Sequence, residues 1–210
     1  MRLVRQLAPL LIFILFVFGY VQPWVINRSA ALNLNGYDLA EWASLHPAAQ
    51  GQTPPLLTAL LLRLPLVCAV LWFVWHRPYA GQMRLAAAAI LIVTAISLLP
   101  PIEFISQRDN PNYQQQAGLA ALTLALGLAG LLITGQRGSR IRTIGGISAL
   151  VIGIGAGWGG LLQAAEWMRA FRLPALVGSG ALLMLLASGA AAGAGLLSLL
   201  YRRSSSGQSL

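Results

Sequence analysis

Apolar runs of about 20 residues recur along this chain, separated by short polar stretches. Such a run crosses the hydrocarbon core of a bilayer as a helix. Six are read in this way. The first covers about Leu7 to Ile26, the second Pro55 to Trp75 and the third Leu85 to Leu99. The fourth covers Gln116 to Thr134, the fifth Thr143 to Ala164 and the sixth Pro174 to Tyr201. The expected fold class is therefore all-α, a polytopic membrane protein with six transmembrane helices forming one domain over residues 1–210. The N-terminal run reaches Ile26 with no small-residue cleavage site at its end, so it is read as a retained span.

The polar stretches differ in composition. Residues 27–55 form the longest, and within them lies NLNGYDLAEWASLHP. Asn35 is placed to cap a short helix, with Asp38 three residues on, and Pro47 stops it. Leu39, Trp42 and Leu45 recur every third residue, which suggests a short amphipathic helix lying on the membrane or lidding the bundle. Residues 102–115, IEFISQRDNPNYQQ, are the most polar stretch of the chain. Residues 202–210 are expected to form a flexible tail.

Charge gives the expected orientation. Nine of the 14 basic residues, all arginines, fall in the N-terminal segment, two alternate loops and the tail, with no acid among them. All five acids, Asp38, Glu41, Glu103, Asp109 and Glu166, fall in the other loops. Short loops rich in arginine stay in the cytoplasm. Both termini are therefore expected to be cytoplasmic, in a cell inner membrane or plasma membrane. The net charge of +9 is a topology signal on this reading, and no basic helix or aromatic-basic platform points to nucleic acid.

Seventeen of the 22 glycines lie between residues 118 and 195. At roughly 100° per residue, Gly146, Gly153, Gly157 and Gly160 fall on one helix face. Gly155 and Gly159 fall opposite. Small residues let helices approach closely in lipid, so the fifth span is expected near the centre of the bundle, between two neighbours. Gly189 and Gly193 form another small pair in the sixth span.

Arg63 is the one charge inside an apolar run, in LLTALLLRLPLV. A charge at that depth snorkels, pairs with an acid or binds an anion or lipid headgroup. Glu103 and Glu166, near the same ends of their spans, are the expected partners. Pro65 is placed to loosen the helix beside it.

Catalytic and metal chemistry are not expected. His46 and His76 are assigned to opposite sides of the membrane, Cys68 has no cysteine partner, and no helix carries a His-Glu-x-x-His zinc motif. No serine in a span has a histidine with it. The repeated triplet Ala-Glu-Trp, at residues 40–42 and 165–167, is too short to argue duplication. These features lead to a non-enzymatic integral subunit or accessory protein of a membrane complex, with no cofactor. Its expected partners are the lipid bilayer and other membrane chains or copies of itself. The alternative is a small permease or channel-like component acting as an oligomer or with a partner.

Overall fold

The computed structural model describes residues 2–27, 32–76, 79–133, 135–173 and 175–206, with side chains from 7 to 193 apart from 28–31, 77–78, 134–137 and 174. Helix α1 is Arg2–Val21. Strands β1, Pro23–Asn27, and β2, Leu32–Asn35, follow. Two short helices come next, α2 at Gly36–Leu45 and α3 at Pro47–Gln50. Helices α4, Leu57–Trp75, and α5, Gly81–Ser97, lead to a single 3-10 turn at Ile102–Ile105. Helix α6 is Pro111–Leu132 and α7 is Gly135–Ala170. The two-residue strand β3, Leu176–Val177, precedes α8, Ser179–Ser206.

Three helices among the described residues are long and apolar enough to cross a membrane, not six: Leu57–Trp75, Pro111–Leu132 and Gly138–Ala170. They give the chain its membrane-protein character. Three further apolar helical segments fall below that length over the residues whose side chains are described, at Leu7–Val21, Gly81–Ser97 and Ser179–Gly193. The six-span expectation, with both termini on one side, is corrected accordingly. Hydropathy alone had extended the first run through Ile26, but the helix stops at Val21 and Pro23 opens a strand. Proline lacks the N–H a helix needs, and β-branched Val25 and Ile26 favour extended backbone. The same happens before α8, where Leu176 and Val177 are extended rather than helical. Pro174, the expected start of that run, lies outside the described residues.

The fold is therefore mostly helical but not all-α. Strand β1 pairs antiparallel with β2 on one edge and with β3 on the other, giving the order β2-β1-β3. The register aligns Ile26 with Asn33 and with Leu176. This small sheet joins the end of α1 to the start of α8. There a Cβ on Gly19 would come 3.0 Å from the Met184 backbone nitrogen, so the two helices meet almost backbone to backbone.

Two expected loops are structured. Residues 135–142 are the first turns of α7, which follows α6 after a connection at Ile133 and residue 134. There Arg142 is buried and donates from Nη1 to the Ile133 carbonyl at 3.1 Å, satisfying an end-of-helix acceptor. Residues 202–206, expected as flexible tail, continue α8, and 207–210 lie outside the described residues.

Helix α4, not α7, is central. It packs on α1, α2, α5, α6 and most extensively on α7. The α4–α7 seam is made by glycine: Gly153 faces Cys68, Gly157 faces Pro65 and Trp24, and Gly160 faces Leu62. A Cβ at Gly157 would lie 2.8 Å from Pro65 Cγ. Gly146 is looser, with Trp72 and Trp75 at 3.7–3.8 Å. The opposite face of α7 departs from the expected sandwich, since Gly155 meets nothing within 4 Å and Gly159 only Leu61. Gly189 and Gly193 of α8 likewise meet nothing within 4 Å among the described residues.

Aromatic side chains close the other side of α4. Phe13 packs on Phe73 and Phe16 on Trp72, with ring centroids 5.1 and 5.9 Å apart. The Tyr20 hydroxyl donates to the Leu62 carbonyl at 3.2 Å, beside the Leu61 carbonyl that Pro65 leaves without its helical donor.

Candidate functional site: a buried arginine beneath a polar cavity

Helix α2 begins as the sequence suggests. The Asn35 side chain accepts from the backbone N–H groups of Tyr37 and Asp38, both at 2.9 Å, and donates to Asp38 Oδ2 at 2.7 Å. Its buried face is Gly36, Leu39, Ala40, Ala43 and Ser44, which follows the 3.6-residue helical period. The expected Leu39-Trp42-Leu45 face is incorrect: Leu45 is 82% exposed. Gly36 makes room for the Tyr20 ring, Ala40 and Ala43 are buried as α2 packs on α4, and Glu41 reaches α6.

Glu41 is the partner of Arg63. Arg63 Nη2 donates to Glu41 Oε1 at 2.7 Å and to Asn112 Oδ1 at 2.8 Å. Its Nη1 donates to Gln115 Oε1 at 2.8 Å. The proposed pairing with Glu103 or Glu166 is corrected: both acids are exposed, on the 3-10 turn and near the end of α7. Arg63 is 1% exposed, so it does not snorkel to the surface. Only its Nε remains buried without a hydrogen-bond partner.

The first two turns of α6 supply the neutral members of the cluster. Asn110 caps the helix, accepting from Asn112 N–H at 3.0 Å, and Pro111 occupies the first turn where no N–H is needed. That start places Asn112, Gln115 and Gln116 on the Arg63 side. Gln116 donates to Glu41 Oε1 at 3.1 Å and Asn112 donates to Glu41 Oε2 at 3.4 Å. Gln115 turns its amide N–H to the Leu56 carbonyl at 3.3 Å. Leu56 itself holds φ 57, a left-handed conformation uncommon for a bulky residue, at the turn into α4. The arginine thus exchanges water for one carboxylate and two amide oxygens, the arrangement a buried charge requires.

Above the cluster lies a polar cavity of about 480 Å³. Glu41, Gln50, Asn110, Asn112, Tyr113 and Gln116 contribute to its wall, with Tyr37 at one side and Leu99 and Pro101 closing it. Among the described residues Glu41 is its only formally charged lining residue. Burial, followed by the charge of Glu41, raises the Tyr37 phenol above its ordinary value of 10.0, while Arg63 opposes the shift. The folded chain therefore holds this proton more tightly than the unfolded chain. The associated stability is complete below pH 10 and is lost as pH rises through the folded value. An NMR titration of ring-labelled tyrosine is expected to show Tyr37 ionising above free tyrosine, and Glu41→Gln is expected to bring it down. Ionisation of Tyr37 at or below the ordinary value would contradict this account.

The other candidate residues stand apart from the cluster. His46 caps α3 through Nδ1, accepting from Ala48 N–H at 3.2 Å, and stacks on Trp167 with centroids 4.5 Å apart. His76 packs near Trp72 at the opposite end of α4, and Cys68 is a buried free thiol against Gly153. Among the described residues no three histidine, cysteine or acidic side chains gather as metal ligands. Sequence reasoning missed Glu41, Asn112, Gln115 and Gln116. The usable signal was the NPNYQQQ run, whose Asn-Pro start marks a helix with amides on successive turns.

No protein-family model, curated protein or solved structure matches this chain.

Proposed function

We propose that this chain is a non-catalytic integral membrane accessory protein that holds a small polar group at one end of its helix bundle. The observation that carries the proposal is the polar cavity of about 480 Å³ with Glu41 in its wall. Its size falls within the range of roughly 300–1,000 Å³ usual for small-molecule sites. The Arg63 network beneath it fixes Glu41 and the α6 amides, so the wall is organised before any ligand arrives. The permease alternative has less support. The lining goes no deeper into α6 than Gln116, in its second turn, and Arg63 is enclosed rather than open to a route.

A test uses the full chain in phosphatidylcholine nanodiscs with Leu45→Cys, at the exposed cavity rim, carrying a polarity-sensitive fluorophore. Titration with methyl glucoside, betaine and glycerol phosphate is expected to give a saturable emission change with at least one. The paired variant Glu41→Gln/Arg63→Met, which keeps the cluster neutral, is expected to abolish it. A flat response to all three would remove the reading.

Assembly with other membrane chains is a second reading, favoured by α8. Its exposed face runs through Leu182, Leu186, Gly189 and Gly193, with open space at both glycines. Purification in mild detergent is expected to retain a stoichiometric partner or second copy, which Gly189→Leu/Gly193→Leu releases. A monomer with no associated chain would argue against it.

A further inference from the structure

We infer that the ligand of the polar cavity is an amphiphile with an uncharged, hydroxyl-rich head, whose hydrocarbon chain lies in the cleft between α1 and α5. This rests on the reading of the cavity as a binding site. The cleft is a second cavity of about 550 Å³, lined by Phe13, Val17 and Val21 of α1, Leu66 of α4 and Ile90 and Val93 of α5. It exists because α1 and α5 both pack on α4 without packing substantially on each other. Three of the four hydroxyls in its wall donate within the chain and make no polar demand on an occupant: Tyr20 to the Leu62 carbonyl at 3.2 Å, Thr94 to the Ile90 carbonyl at 2.9 Å and Ser97 to the Thr94 carbonyl at 2.8 Å. The fourth, that of Tyr37, lies where the cleft meets the polar cavity.

The two cavities adjoin. Tyr37 lines both, and along the end of α5 the wall passes from Ser97 of the apolar cleft to Leu99 of the polar cavity. A molecule occupying both presents its tail to one and its head to the other. The head chemistry follows from the wall. Among the described residues no arginine lines the polar cavity, and Arg63 below it is already engaged by Glu41, Asn112 and Gln115. A phosphate there would face the Glu41 carboxylate, and the cation nearest to it, Arg63, is already paired with Glu41. Hydroxyls suit the site, since they donate to Glu41 and exchange hydrogen bonds with the amides and phenols. A glycosyl head is the simplest group with several such hydroxyls.

The experiment uses the full chain in phosphatidylcholine nanodiscs containing a monoglucosyl diacylglycerol with a diazirine in one acyl chain. A phosphatidylglycerol carrying the same diazirine serves as comparison, and adducts are mapped by mass spectrometry. The glycolipid is expected to label Val17, Ile90 and Val93 about tenfold more than the phospholipid, the discrimination that one or two extra hydrogen bonds supply. Val93 is 66% exposed, so Val93→Trp fills the cleft without disturbing the core. It is expected to abolish the labelling while leaving the Leu45→Cys response to methyl glucoside intact. Equal labelling by both lipids identifies ordinary boundary lipid and overturns the inference. A methyl glucoside response with no glycolipid label in the cleft also overturns it, while leaving the cavity reading standing. Absence of both the label and the response to every solute removes both.

Discussion

Glu41→Leu is expected to destabilise the protein by about 3 kcal/mol, at the lower end of the cost of stranding a buried charge. The mechanism is desolvation. Arg63 is buried by α4 and its neighbours whether or not Glu41 is present, and the remaining acceptors, Asn112 and Gln115, are neutral. The lower end of the range applies because the Glu41 side chain is 32% exposed, so water partly replaces it. Arg63→Met alone is expected to cost less, since Glu41 can rehydrate through the cavity. The double variant Glu41→Leu/Arg63→Met is expected to recover most of the loss, because an apolar pair avoids both desolvation costs. Reversible unfolding of the four proteins in one detergent gives the cycle. Additive losses in the double variant would show that the ion pair does not act as a unit.

Gly157→Leu is expected to be strongly disruptive on α7. A Cβ at this position already approaches Pro65 Cγ to 2.8 Å and the Trp24 ring to 3.2 Å. Pro65 is a ring within a helix and Trp24 is buried in the core, so neither yields easily. Overpacking typically costs about 1–3 kcal/mol, and Gly157→Ala is expected within that range. Gly157→Leu is expected to separate α7 from α4. Gly155→Leu, two residues away but facing open space, is the control and should leave the thermal midpoint within a few degrees. The measurement is thermal unfolding of the three variants, combined with the yield of a disulfide engineered across the α4–α7 seam. A Gly157→Leu protein with wild-type midpoint and disulfide yield would refute the seam as described.

Particular residues show why the sequence was readable in some places and not in others. Long apolar runs, such as LTALLLRLPLVCAVLWFVW, read as helix even across Pro65 because length and composition leave little choice. The Asn35 cap reads for the same local reason, since its hydrogen bonds span only three residues. The sheet does not, because a short apolar segment has the same hydropathy as strand or helix. Pro23 and the β-branched pair after it were the available warning. The partner of Arg63 was beyond local reasoning altogether. Five acids stood in the loops at that end of the chain's apolar runs, and only the way α2 lies over α4 selects Glu41 among them. The start of α7 was missed because arginines and glycines resemble a loop, although Arg142 reaches back to the end of α6.

One of the two helices that flank the apolar cleft is also short. Helix α5 has 17 residues, whereas α1 has 20. At 1.5 Å per residue α5 reaches about 25 Å, against about 30 Å for a bilayer core. A bilayer that matches a helix this short thins beside it. Where α5 contacts lipid, such thinning would bring headgroups towards the polar cavity at its end and shorten the path of a head entering it.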